Sequence, residues 1–324
     1  MKKIIAGALA ALALSVASAS AQIVGIATDQ QGSLGYNSGQ ALASVAVSKG
    51  VVEARVQPMA GTAAYMPMVN QGDMDFGFCN LVEAEYAFEG KGNFDRPHPN
   101  LRMVGVVFPL RTSIMAPVDL GIDTIADLKG KAANLRIASE YSASTIIAYY
   151  IRGALANGGM TYDNFKQVPV SSFVEGIKSL GEAKVDVALV SLNSGAGKEA
   201  EAQLQSRGGL QYISLDDSAE GVKAFRDFLR AAEIVKMDAN ANIPGLKKGA
   251  NIISIPWALM TNADVDDDTV YKLTKIIAEE NAALTASFGA YRGWAADKMA
   301  PESVVPYHPG ALKYYQEAGI AAGK

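Results

Sequence analysis

Apolar and polar positions follow two rhythms along this chain. QIVGIAT (22–28), VEARVQ (52–57), DFGFCN (75–80) and LRMVGVVF (101–108) are short runs of apolar and β-branched residues bounded by turn formers. Their length and composition predict strands. GQALASVAVSK, MAGTAAYMPMVNQG and LVEAEYAFEG lie between them. They place apolar residues every three or four positions, the period of a helix that buries one face. GSLGYNSG reads as a glycine-rich turn before the first helix. Gly72 reads as a helix stop, and Asn80 as an N-cap.

The rhythm continues after residue 112. SIMAPVD (113–119), NLRIAS (134–139), KVDVALVS (184–191) and LQYISL (210–215) read as strands, and NIISIPWALMTN (251–262) as a long extended segment. Helices are predicted at DTIADLKGK, SASTIIAYYIRGALANGG, VEGIKSLGEA, AEGVKAFRDFLRAAE and DDDTVYKLTKIIAEENAALT. Thr124 with Asp127, and Ser172 with Glu175, have capping-box spacing. Ile147, Tyr150, Ile151 and Ala154 share one helical face, as do Val270, Leu273, Ile277 and Leu284. Strands alternating with helices predict an α/β fold.

Two long extended segments, 109–119 and 251–262, bracket the middle of the chain. This predicts two domains, one discontinuous (22–112 plus 257–324) and one continuous (113–256), with a ligand cleft between them. Ligands of open α/β sheets bind outside the carboxyl ends of the strands. Those ends are small and polar here: Ser33 to Tyr36, Gly61 and Thr62, Asn80, Ser139 to Thr145, and Ser191 to Ser194.

The N-terminus changes the picture of where the chain works. Lys2 and Lys3 precede an apolar run from Ile4 to Val16, and Ala19-Ser20-Ala21 has the small-x-small pattern of a leader cleavage site. The expectation is a signal peptide over 1–21 and a mature protein in a bacterial periplasm. The whole chain has 324 residues and a formal net charge of −4, and losing the two leader lysines makes it more acidic. That balance argues against nucleic acid or an anionic membrane as partner. Cys79 is the single cysteine, so no intramolecular disulfide forms and core burial must hold the fold.

Candidate chemistry concentrates at the strand ends. SEYSAST precedes a helix, whose N-terminal N–H groups suit a carboxylate, with Ser139, Ser142, Ser144 and Thr145 as further donors. Arg111 lies where the chain first crosses between domains and could form a bidentate pair with a ligand carboxylate. Arg136 ranks behind it. Trp257 in the return crossover, with Tyr36 and Tyr141, could wall the cleft. The expected ligand-contact set is Ser33, Tyr36, Gly61, Thr62, Asn80, Arg111, Ser139, Tyr141, Ser142, Ser144, Thr145, Ser191, Asn193 and Trp257. His98, in RPHPN, reads as a solvated surface residue. There is no H-E-x-x-H, C-x-x-C or G-x-S-x-G, GSLGY lacks dinucleotide spacing, and SGAGKEA lacks the full phosphate-loop pattern. No catalytic constellation, metal or cofactor is therefore expected.

Four stretches carry a family resemblance: GIATDQQGSLGYNSGQALA, MAGTAAYMPMVNQGDMDFGFCN, GIDTIADLKGKAANLRI and PYHPGALKYYQEAG. Together they resemble the TAXI-type solute-binding proteins of TRAP transporters. The resemblance implies a type II periplasmic binding protein fold. It also implies a small organic acid ligand (a glutamate-like amino acid or a dicarboxylate) and a membrane permease driven by an ion gradient. A monomer is expected. The alternatives are a binding protein of an ABC transporter or a sensor with the same fold, and a secreted α/β enzyme. Within the resemblance His308 precedes the last helix, with Pro309 in its first turn and Gly319 as its stop, and is expected to dock the C-terminus.

Overall fold

The structure is a computed structural model that describes residues 23–192, 194–292 and 294–323. The expected leader and Asn193 lie outside the described residues.

The first lobe begins with β1 (Ile23–Thr28), α1 (Leu34–Ser48), β2 (Glu53–Pro58), α2 (Thr62–Gln71), β3 (Phe76–Asn80) and α3 (Leu81–Glu89). The stretch expected as a glycine-rich turn is instead mostly helix. Ser33 Oγ accepts from Tyr36 N at 3.0 Å, and this cap starts α1 four residues after Asp29. Gly72 ends α2 in the left-handed conformation, and Asn80 caps α3 by accepting from Glu83 N.

The strands expected at 101–108 and 113–119 form one continuous strand, β4 (Leu101–Pro117). The second lobe follows: α4 (Ile125–Lys131), β5 (Arg136–Glu140), α5 (Ile146–Asn157), β6 (Lys166–Val170), α6 (Phe173–Gly181), β7 (Ala188–Ser191), α7 (Gly195–Gln203), β8 (Leu210–Tyr212), α8 (Ala219–Arg226) and β9 (Glu233–Met237). Thr124 and Asp127 form the full capping box at α4. β6 and β9 are additional to the expected strands. Both are five residues long, mix polar with apolar residues and are mostly unburied, so neither carries a clear strand pattern.

The chain returns through β10 (Ala250–Asn262) to α9 (Asp267–Glu279), α10 (Asn281–Ser287) and α11 (Pro309–Glu317). One helix was expected across α9 and α10, but it breaks at Glu280. Asn281 Nδ2 there donates to the Tyr291 carbonyl at 2.9 Å, tying the start of α10 to the turn that follows it.

Among the described residues the main sheet has eight strands, in the order β2-β1-β3-β10-β4-β7, with β8 on β4 and β9 on β10; β5 and β6 pair separately. β1 is parallel to β2 and β3, whereas β10 is antiparallel to both β3 and β4. β4 and β10 are the spine. Their lobe I halves pair with each other and, through β10, with β3. Their other halves pair with β7, β8 and β9. Among the described residues, only this two-strand ribbon, near residues 109–112 and 253–256, joins the lobes within the sheet. β10 shifts register between Trp257 and Ala258, which bends the ribbon where the lobes meet.

The lobes also touch across the gap. Ser144 Oγ donates to the Ala60 carbonyl at 2.9 Å, and Gly195 N to the Gly32 carbonyl at 3.1 Å. Tyr86 Oη reaches the Phe228 carbonyl, Tyr149 Oη reaches the Gly92 carbonyl, and Arg230 pairs with Glu85.

Both histidines are buried. His98, expected on the surface, packs its ring edge-on to Phe94 while its backbone N–H donates to the Ala87 carbonyl; burial lowers its pKa. His308 caps α11: its Nδ1 accepts from Gly310 N at 3.1 Å, and Pro309 takes the first helical position.

Candidate functional site: the cavity between the lobes

The carboxyl ends of β1 and β3, the bend of β10 and the starts of α1, α2, α3, α5 and α6 converge on one cavity of about 50 Å³. Lobe I contributes Asp29, Ser33, Gly61, Thr62, Asn80, Glu83 and Trp257 to its walls, and lobe II contributes Ser144, Ile147, Tyr150, Phe173 and Ser191. Helices α2 and α5 begin there without a side-chain cap. Their first-turn N–H groups thus bring partial positive charge to the site.

Seven of the expected residues come together here: Ser33, Gly61, Thr62, Asn80, Ser144, Ser191 and Trp257. Others point elsewhere. Tyr36 is in the first turn of α1, with its phenol accepting from Gln40 on the outer face. Ser142 is exposed, and Ser139 and Thr145 are not among the cavity walls. Tyr141 is fully buried inside lobe II, with its ring against Gly176. It follows Glu140, and both residues have positive φ (64° and 50°), so the turn reverses and carries the tyrosine away from the cleft. Arg136 is held bidentately by Asp186 at 2.8–2.9 Å.

Arg111 requires the clearest correction. Successive side chains of a strand point to opposite faces. Leu110 faces the interlobe cavity, so Arg111 faces a different one on the far side of the ribbon. No Lys, Arg or His lines the interlobe cavity among the described residues.

The cavity instead holds two carboxylates that sequence reasoning passed over. Asp29 follows the last residue of β1, between the expected strand and the expected turn. Glu83 sits in the first turn of α3 and was read only as part of a helix. Burial raises the Asp29 pKa to about 7, against a long hydrogen bond from Tyr65 Oη at 3.5 Å. The Tyr65 hydroxyl makes its shorter bond, 2.6 Å, to the Phe78 carbonyl, which leaves Asp29 poorly compensated. Burial also raises Glu83 to about 7, although Thr62, Asn93 and Asn80 all donate to it.

Among the described residues, two polar atoms of wall residues are buried with no hydrogen-bond partner, the indole Nε1 of Trp257 and the hydroxyl of Tyr150. The Trp257 ring lies parallel to Phe78 at 6.4 Å between centroids, and a Cβ on Gly35 would stand 3.2 Å from the indole. The indole is thus held rigidly in the cavity wall. Leaving such a group unpaired costs about 1–3 kcal/mol, which a ligand acceptor would recover.

An α/β protein with this mixed, curled sheet has the fold of the type II periplasmic binding proteins. The chain matches the NMT1-like family over residues 26–319, and it belongs to that family. Solved structures of similar fold include PhnD1 from Prochlorococcus marinus in complex with methylphosphonate (12% identity, TM-score 0.54, covering 93% of this chain and 99% of that one). A binding protein component of an ABC phosphonate transporter from Pseudomonas aeruginosa shares 14% identity at TM-score 0.50, over 83% of this chain and 79% of that one. MatC from Rhodopseudomonas palustris with bound malate also shares 14% identity at TM-score 0.50, over 84% and 86%. At these identities the likeness is one of fold.

Proposed function

We propose that the chain is an extracytoplasmic solute-binding protein, that the interlobe cavity is its ligand site, and that its role is delivery to a membrane permease rather than catalysis. The lobe borders near 112/113 and 256/257 serve as the hinge. The observation that carries this reading is that Trp257 and Tyr150, whose Nε1 and Oη are buried without a hydrogen-bond partner among the described residues, line a cavity walled from both lobes. A ligand that satisfies groups from both lobes binds the closed form better than the open one and so holds it closed.

The ligand class follows from charge. The resemblance to TAXI-type proteins implies a small organic acid, either an amino acid or a dicarboxylate. A dicarboxylate would have to enter beside Asp29 and Glu83 with no cationic side chain on the walls to offset it. An amino acid fits better: its ammonium group meets Asp29, and its carboxylate meets Trp257 Nε1 and the uncapped helix starts. We therefore favour an amino acid or a similar amine-bearing acid.

The permease is proposed to be of the TRAP type, on the strength of the PYHPGALKYYQEAG resemblance. An ABC permease is the second reading, since a solved structure of this fold is a component of an ABC transporter. A thermal-shift panel of amino acids, dicarboxylates and phosphonates tests the ligand class. Binding without turnover raises the melting temperature by mass action. Formation of product from any of them would instead favour a secreted enzyme. Transport by the reconstituted permease, driven by an ion gradient or by ATP, separates the two partners.

A further inference from the structure

The far side of the hinge ribbon holds a second cavity, of about 550 Å³. Arg111 enters it from β4, and Arg292 and Lys298 enter it from the segment between α10 and α11. Its other walls include Leu192 and Met237 of lobe II and the ring of Trp294, whose Nε1 is fixed by donating to the Val106 carbonyl at 2.9 Å. No carboxylate lines it among the described residues. None of the three cations is in ion-pair distance of an acid among the described residues. Three other arginines do find acids: Arg136 pairs with Asp186, Arg207 with Asp119 and Arg230 with Glu85. The Arg111 Nε is moreover buried with no hydrogen-bond partner among the described residues. A buried guanidinium N–H without an acceptor is costly, and an oxyanion is the partner whose geometry the guanidinium fork matches.

We propose that this cavity is a second ligand site, which takes a small polyvalent oxyanion of the phosphate or citrate kind through Arg111, Arg292 and Lys298. It stands apart from the interlobe cavity in charge as well as in place, since that cavity has acids and no cations.

Calorimetric titration of the full chain with sodium phosphate and with citrate, at constant ionic strength, tests this. The wild-type protein is expected to show a saturable site. Arg292 and Lys298 are exposed, so the double variant R292Q/K298Q should fold and should weaken that site at least tenfold. Asp29→Asn, which removes a negative charge from the interlobe cavity, should leave it unchanged. Tighter phosphate binding in Asp29→Asn, with none lost in R292Q/K298Q, would place the anion between the lobes and overturn the proposal. Absence of any saturable heat with either anion would also overturn it. So would silence with both anions combined with capture of the permease by the wild type but not by R292Q/K298Q, which would assign the cations to a protein carboxylate.

Discussion

Gly61 and Ala143 face each other across the interlobe gap so closely that a methyl group on Gly61 would overlap the Ala143 carbonyl oxygen and stand 3.1 Å from Ser144 Oγ. Gly61 has an extended backbone that any residue adopts, so the demand for glycine comes from the opposite lobe and not from its own φ. Gly61→Ala should therefore act on closure. Solution scattering should show a more open particle, and affinity for the cleft ligand should fall by about tenfold or more, since the closed state must be reached at a cost of about 1–3 kcal/mol. The melting temperature of the ligand-free protein should hardly change. A variant as compact as the wild type, with equal affinity, would show that the contact does not govern closure.

Asp29 sets the pH dependence. Its folded pKa is about 7 against an ordinary 3.8, so the folded chain holds this proton more tightly than the unfolded chain does. The stability it contributes therefore declines as pH rises from about 4 to about 7, and Glu83 adds in the same direction. Asp29→Asn should raise stability at pH 7 by about 1–2 kcal/mol while removing affinity for an amine-bearing ligand. In the wild type an ammonium group needs the ionised carboxylate, so affinity should fall about tenfold per unit below pH 7 and level off above it. Affinity that rises on acidification would point to an anionic ligand without an amine.

His308 belongs to stability. Burial lowers its pKa, so it is neutral in the fold, and its 3.6 Å approach to Asp267 is not an ion pair at neutral pH. The unfolded chain takes up the proton first as pH falls through about 6.5, so stability is lost from there downwards. His308→Ala should cost about 1–3 kcal/mol through the lost cap and the space left behind, with ligand affinity unchanged. His308→Asn keeps a cap acceptor and should lose the acid sensitivity. A fall in affinity with stability intact would place His308 in the binding machinery.

How far the molecule was legible in its sequence differs between backbone and charge. Strand ends announce themselves through small polar residues beside apolar runs, which is how Ser33, Gly61, Thr62, Asn80, Ser144 and Ser191 were singled out. Asn80 and Thr124 were legible as caps because capping chemistry is local. Arg111 was misplaced because β4 is buried on both faces over most of its length. A continuous apolar run carries no period-two signal from which to read which face a residue takes. Asp29, Glu83 and Tyr150 were missed because an acid after a strand, an acid in a first helical turn and a tyrosine on an apolar helix face each have an ordinary local role. Their convergence depends on how the two lobes meet, which no local pattern records.

The central claim is that a small amine-bearing acid is held between the lobes. Native mass spectrometry of the protein, purified without refolding and then offered a panel of amino acids and dicarboxylates, tests it most directly. The account predicts a one-to-one complex with an amino acid or related amine-bearing acid, which Asp29→Asn does not form. Retention of a dicarboxylate by both wild type and Asp29→Asn, with no amino acid retained by either, would contradict it.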